Sequence, residues 1–462
     1  MGKKCIIGTL LMLLAGCTHQ PSAKEILAKI KAHYGQKSTA GLHVSYQQVG
    51  FNPYQSYDYE HPDSLRSMHT VHLDGQDFFA ERRAWFPGGF EFGLKEFQQD
   101  SVGYQYDLKG IILGKRAINQ PKERIEEVEE ELTQLVDFRF SQKFFSQEDR
   151  IGVDTLDFQK NLATLIQITD EQDTLKVTYQ MEPVALRSVS YTGSEEEWLF
   201  DNRKGATHMD NIKHFKNGSL KSLYSLKQVE QINGIADEHF AIPEDFSIYL
   251  PEKKEPSIER IGPDLYLVKS LPSDRNVLFA MEPEGITVFG APISDSLSQL
   301  VIDLIATQFP GTQIHAVYVT HAHSDHIGGL PAYVKLGATI LTDAYSISAI
   351  KAYPKFADTI DSFVFKEVVD ESIIGHAQFF VVDNSHSKGQ GFVYFRTNEV
   401  IYQGDFFEIP ADNTFPHYVP NATREFMEFI ATRNLGVKRI VAHHRNDFIT
   451  MELLQRYYET KK

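Results

Sequence analysis

The sequence predicts an α+β chain of more than one domain, with a mainly antiparallel β domain carrying a helix ahead of a layered α/β domain. Three observations lead there. At 462 residues the chain is longer than one ordinary core serves, and roughly 150 residues per domain gives about three. Alternating apolar and polar runs dominate up to about residue 250, whereas strand-like and helix-like runs alternate from about residue 258 onward. Between them Pro251-Glu252-Lys253-Lys254-Glu255-Pro256 is polar and bracketed by prolines, which suits an extended connector over 251–257. With 42% apolar and 23% charged residues the chain can fill its cores and leaves no room for extensive disorder.

The chain opens on Lys3 and Lys4, then an apolar run from about Ile6 to Leu14 that is too short to span a bilayer and has the proportions of a signal peptide. Leu14-Ala15-Gly16-Cys17 follows and resembles the lipobox of bacterial lipoproteins. The resemblance implies a signal peptide over 1–17, lipidation at Cys17, and a membrane partner reached through its acyl chains. It implies a lipoprotein of the cell envelope, exported from the cytoplasm. The outer membrane is preferred, because Thr18 after the cysteine is no obvious inner-membrane retention signal. Cys5 and Cys17 are the two cysteines, so no disulfide or thiolate metal site forms beyond the leader, and any metal is held by histidines and carboxylates.

Residues 18–250 are read as the β-rich domain. Ala23 to Lys31 is a short amphipathic helix, with Ile26, Leu27 and Ile30 at helical spacing. Strands follow, typified by Leu175, Val177, Tyr179 and Met181, and Asp74-Gly75 and Asn217-Gly218 supply the positive φ angles of two-residue hairpin turns. One helix interrupts them after Pro121, with Ile125, Val128, Leu132 and Leu135 as its apolar stripe and the acidic run Glu126 to Glu131 as a solvated face. A helix against a sheet in a lipoprotein resembles the lipoprotein-carrier half-barrels that hold acyl chains, which implies lipid or partner binding by this domain.

Residues 258–462 carry the chemistry. Leu265 to Val268, Val277 to Met281, Ile286 to Phe289 and Ala316 to Thr320 read as strands, and Ser296 to Gln308 as a helix. The last strand runs into His321-Ala322-His323-Ser324-Asp325-His326-Ile327-Gly328-Gly329, three imidazoles and a carboxylate within six residues. A chance match is expected on the order of once in a thousand such sequences. Residues two apart on an extended chain point the same way, so His321 and His323 can grip one ion while Asp325 and His326 face a second. Gly328 and Gly329 allow close approach of the backbone. Two cations can share a hydroxide and polarise the bond attacked; the donors suit zinc, and also accept iron or manganese.

This stretch resembles the signature of the metallo-β-lactamase superfamily, whose fold is a four-layered αββα sandwich. Val382-Asp383-Asn384-Ser385-His386-Ser387-Lys388-Gly389, Tyr402-Gln403-Gly404-Asp405-Phe406 and Ile440-Val441-Ala442-His443-His444 are similar to its later ligand segments. The resemblance implies a first ion on His321, His323 and His386. It implies a second on Asp325, His326 and His444, with Asp405 bridging both. His444 is favoured over His443, on a register of one residue. The family's usual aspartate is Gly290 in Phe289-Gly290-Ala291-Pro292, which leaves a supporting carboxylate to Asp295 or another residue. Lys388 is either a cation for an anionic substrate or an ordinary loop lysine. His315, His376 and His417 read as strand or loop histidines, His417-Tyr418 also as a cleft wall, and His61, His69 and His72 as surface or sheet decoration.

The activity implied is hydrolysis of a small ester, thioester or related substrate by a hydroxide held between two divalent ions, with Asp325 taking its proton. Asp405 puts β-lactamase activity second, because members that open β-lactams generally lack the bridging aspartate. A non-catalytic lipid- or partner-binding lipoprotein is a further alternative. The net charge of −16 and the export signal speak against nucleic acid and hence against a nuclease.

Overall fold

A computed structural model describes residues 21–37, 41–170, 172–201, 210–251 and 254–461. The leader, with Cys5 and Cys17, lies outside them. Among the described residues no helix is long and apolar enough to cross a membrane.

The alternating runs of the first half join one 14-stranded sheet, from Leu42–Phe51 to Ser247–Tyr249. Neighbouring strands are antiparallel except Ser247–Tyr249, which lies parallel to Arg116–Gln120. Asn217 and Gly218 close their hairpin at φ 50° and 70°, the left-handed values that a two-residue turn matching the strand twist requires. In Thr174–Met181 the residues Leu175, Val177, Tyr179 and Met181 are all buried, as their alternation predicts.

The first helix covers Ala23–Gly35, beyond the expected 23–31, because Tyr34 continues the buried stripe of Ile26 and Ile30; Ser22 and Glu25 cap its start. The single helix expected after Pro121 is instead a pair, Arg124–Leu135 and Asp137–Phe145, broken at Val136, whose backbone is extended. The sequence hides the second one: Phe138 and Phe140 alternate as in a strand, yet Phe140 and Phe144 lie one helical turn apart. The three helices pack on the sheet, with Ile30, Leu132 and Phe144 meeting Val177, Tyr179 and Leu186.

In the second half a seven-stranded sheet from Ser257–Gly262 to Val364–Glu367 faces a five-stranded one from Ile373–Ile374 to Arg439–Ala442. The first of these strands starts on the last residue of the expected connector. Arg275–Glu282 shows why such strands read as unbroken apolar runs. Val277 and Phe279 join Leu297 and Val301 of the helix Asp295–Gln308 on the outer face, while Leu278 and Ala280 face the other sheet. Phe379 likewise faces inward, and Phe380 packs with Phe426 of the helix Asn421–Arg433 outside. The layers are helix, sheet, sheet, helix. The segments carrying His321 to His326, His386, Asp405 and His444 follow the strand ends of both sheets, so the sandwich brings their tips to one rim.

Candidate metal centre

Four strand-to-loop transitions converge there. The strand Ile314–Tyr318 leads to His321 and His323, and the short helix Ser324–Ile327 carries Asp325 and His326. After Ala377–Val382, Asn384 accepts hydrogen bonds from the backbone of His386 at 2.7 Å and of Ser387 at 3.2 Å, which bends the loop so that His386 turns inward. Val400–Gln403 ends in Gly404, where a side chain would meet Thr320, and so brings Asp405 against the first segment. Arg439–Ala442 delivers His443 and His444.

His321, His323, His386 and Asp405 form one group of converging donors, and Asp325, His326 and His444 a second. His386 Nε2 lies 3.4 Å and His321 Nε2 3.8 Å from Asp405 Oδ2. Asp405 Oδ1 turns to the second group, 3.2 Å from His326 Nε2 and 3.0 Å from His444 Nε2. His444 Nε2 is 3.2 Å from His326 Nε2 and 3.5 Å from Asp325 Oδ2. Ligands at about 2.0–2.1 Å from a tetrahedral ion stand about 3.3 Å apart, so this spacing is that of co-ligands.

The chemistry of the donors agrees. His321 Nε2 and His386 Nε2 are buried without a hydrogen-bond partner, a costly state that a cation relieves. Burial, together with the neighbouring imidazole His386, pushes His323 down to about 3; burial and the imidazoles of His326 and His323 hold His321 well below its ordinary value. Burial alone would raise the carboxyls of Asp325 and Asp405, but the His326 and His444 imidazoles hold both far below the carboxylate range. Burial likewise opposes the charge on His326, and the two carboxylates outweigh it, raising that imidazole. The lowered imidazoles of His321 and His323 and the ionised carboxylates are in the protonation states that bind zinc, whereas His326 gives up its proton to a cation.

Residues 287–444 match the sequence profile of the metallo-beta-lactamase superfamily. The chain carries a metallo-β-lactamase superfamily domain. Its fold and donor groups are consistent with a metal-dependent hydrolase. Among solved structures, the chain is similar to MEM-A1, a subclass B3 metallo-beta-lactamase isolated from a soil metagenome library, at 18% identity over 45% of this chain and 93% of that one, with a TM-score of 0.34. The DIM-1 metallo-beta-lactamase is 14% identical over 45% and 97%, with a TM-score of 0.36. A double mutant of the sec-alkyl sulfatase PisA1 is 14% identical over 44% of this chain and 40% of that one, so the chain spans under half of it, with a TM-score of 0.36. No curated protein matches the chain.

The metallo-β-lactamase domain places the remaining expected residues as follows. His444 belongs to the second donor group; His443 instead receives or gives a hydrogen bond with the Tyr402 hydroxyl at 2.7 Å through Nδ1, and burial holds it well below its ordinary value. Asp295 does not stand in for the family aspartate, since it pairs with Lys335 at 3.0 Å on the surface. The space beside Gly290 is taken by Tyr402 and His443. Gly328 and Gly329 admit the backbone of Ile293 and the side chain of Ser298, so their close approach serves packing. Lys388 meets Asp58 of the first domain at 3.0 Å. His417 and Tyr418 also bind that domain, through Lys109 O and Glu91. His69 stacks on Tyr46 in the sheet.

Several cleft residues escaped the sequence reading. Arg275 donates to Asp325 Oδ2 at 3.1 Å and reaches His444 Nε2 at 2.7 Å; it opens the strand Arg275–Glu282, two residues ahead of the apolar run that the sequence shows. Gln55, Phe86, Phe90 and Phe92 come from the first domain and line the same cleft as Asp325, His386, Asp405 and His444. No local motif marks them.

Proposed function

We propose that the chain is a binuclear zinc hydrolase of the cell envelope, cleaving an ester, thioester or similar small substrate. The observation that carries this reading is one carboxylate, Asp405, whose two oxygens serve two separate donor groups. When bound, the cations supply an acidified water as nucleophile and polarise the bond attacked.

The chain's own residues do the rest. Asp325 is the more exposed of the two carboxylates, held by Gln55 at 2.9 Å and by Arg275, and it accepts a hydrogen bond from the attacking water. The cleft, about 310 Å³, has a wall of Phe86, Phe90 and Phe92 that excludes water and takes an apolar part of the substrate. Arg445 lines the same cleft and is anchored to Glu408 at 2.8 Å. Lipidation of Cys17 tethers the enzyme to the membrane, the outer one by preference.

Metal analysis of the purified protein, followed by ester, thioester, phosphodiester and β-lactam substrates, tests the proposal. Two zinc equivalents and turnover of an ester or thioester, lost to a chelator and restored by zinc, are expected. A protein without metal, or one with two ions and no turnover of any substrate, refutes it. Cys17→Ser should release the protein from the membrane fraction, and retention there would remove the anchor.

A further inference from the structure

The geometry points to a metal centre built across both domains, in which the carbonyls of Ser56 and Pro87 and the side-chain amide of Gln55 orient the ligands. The inference rests on the two-ion reading above. An imidazole that binds a cation through one nitrogen carries a proton on the other, and the acceptor of that proton fixes the ring. His321 has its acceptor in its own segment, Thr320 Oγ1 at 3.1 Å from Nδ1. His323 and His386 do not. His323 Nε2 lies 3.1 Å from Ser56 O, and His386 Nδ1 lies 3.2 Å from Pro87 O. In His386 the held nitrogen is the outer one, while the inner Nε2 is buried without a partner and faces Asp405.

The two turns that supply these carbonyls are locked in place. Ser56 follows the short turn Pro53–Gln55, where its hydroxyl donates to Asn52 O at 2.8 Å and accepts from Asp63 N at 3.0 Å. Tyr54 on that turn packs on Tyr353 of the metallo-β-lactamase domain and donates to Ala349 O at 3.1 Å. From the same turn Gln55 donates to Asp325 Oδ1 at 2.9 Å. In the second turn Gly88 N donates to Ser385 O at 2.9 Å, directly before His386, and Phe90 meets the His386 ring edge-on at 5.4 Å. Gly88 is tightly enclosed: its φ is 82°, and a Cβ there would stand 3.0 Å from His386 Cβ and 3.1 Å from Ala422 Cβ. The first domain therefore touches ligands of both donor groups.

A matched pair of variants in the full chain tests this. Gly88→Ala pushes the Pro87 turn off His386, whereas Gly75→Ala imposes a comparable left-handed strain, φ 60°, where nothing lies within 4 Å. Zinc affinity is read by competition with a chromogenic chelator, and ligand geometry from the absorption of the cobalt-substituted protein. Gly88→Ala should lose about 10- to 100-fold in affinity at one of the two sites and shift the cobalt bands, with Gly75→Ala unchanged. Gln55→Ala alters no backbone and should weaken the other site, so it decides the matter if Gly88→Ala does not fold. Wild-type affinity and spectrum in folded Gly88→Ala, or in Gln55→Ala, overturn the inference while the two-ion reading stands. A wild-type chain that binds no zinc removes both.

Discussion

Replacing Gly290 by aspartate restores the carboxylate that superfamily members usually carry there, and the structure predicts a loss of stability instead of a gain in function. The backbone at Gly290 has φ 113°, where a side chain costs about 1–3 kcal/mol. A Cβ would also stand 3.3 Å from His443 Nδ1 and closer still to the Tyr402 hydroxyl, and both of those residues are 1% exposed, with nowhere to move. Overpacking of this kind adds about 1–3 kcal/mol, for a total of about 2–6 kcal/mol. In a domain of this size each kcal/mol lowers Tm by about 2–4 °C, so the metallo-β-lactamase transition should fall by about 4–24 °C. Trp85 and Trp198 both belong to the first domain, so calorimetry is the assay, and tryptophan fluorescence would follow the wrong half. Adding Tyr402→Phe removes the hydroxyl and should recover part of the packing loss. An unchanged Tm with tighter zinc binding in Gly290→Asp would refute the reasoning, for it would mean an open slot awaiting a carboxylate.

Other expectations follow from the same geometry. His444→Ala should lose one zinc equivalent while His443→Ala keeps two, and metal analysis of the pair separates ligand from neighbour. Lys388→Ala should leave both the turnover of anionic substrates and the midpoint of a urea melt unchanged, because its pair with Asp58 is exposed on the lysine side. Burial, aided by Arg82, pushes His69 down to about 3 from an ordinary 6.5, so the unfolded chain takes the proton first. Stability is then full above about pH 6.5 and falls by about 2 kcal/mol by pH 5, and His69→Gln should flatten that slope in denaturant titrations.

What the sequence made legible follows from where the chemistry sits along the chain. His321 to His326 were legible because four donors share one short segment, and no packing role needs imidazoles at that density. His386, Asp405 and His444 each stand alone; they came into view because each follows an apolar strand and matches a segment of a known family. The helix Asp137–Phe145 did not, since its phenylalanines copy a strand's alternation before the helical period shows. Ser56 and Pro87 were beyond reach for a deeper reason. They act through carbonyl oxygens, which every residue has, and through turns that meet the centre only after a 14-stranded sheet has closed on its neighbour domain. The trace such a role leaves is indirect. Pro87-Gly88-Gly89 holds two successive glycines at positive φ, values of 82° and 75°, where a loop of ordinary residues would serve a surface turn equally well. A glycine pair standing where side chains would strike a histidine and the helix Asn421–Arg433 marks a backbone pressed against its neighbours, and here one neighbour is His386 of the candidate metal centre.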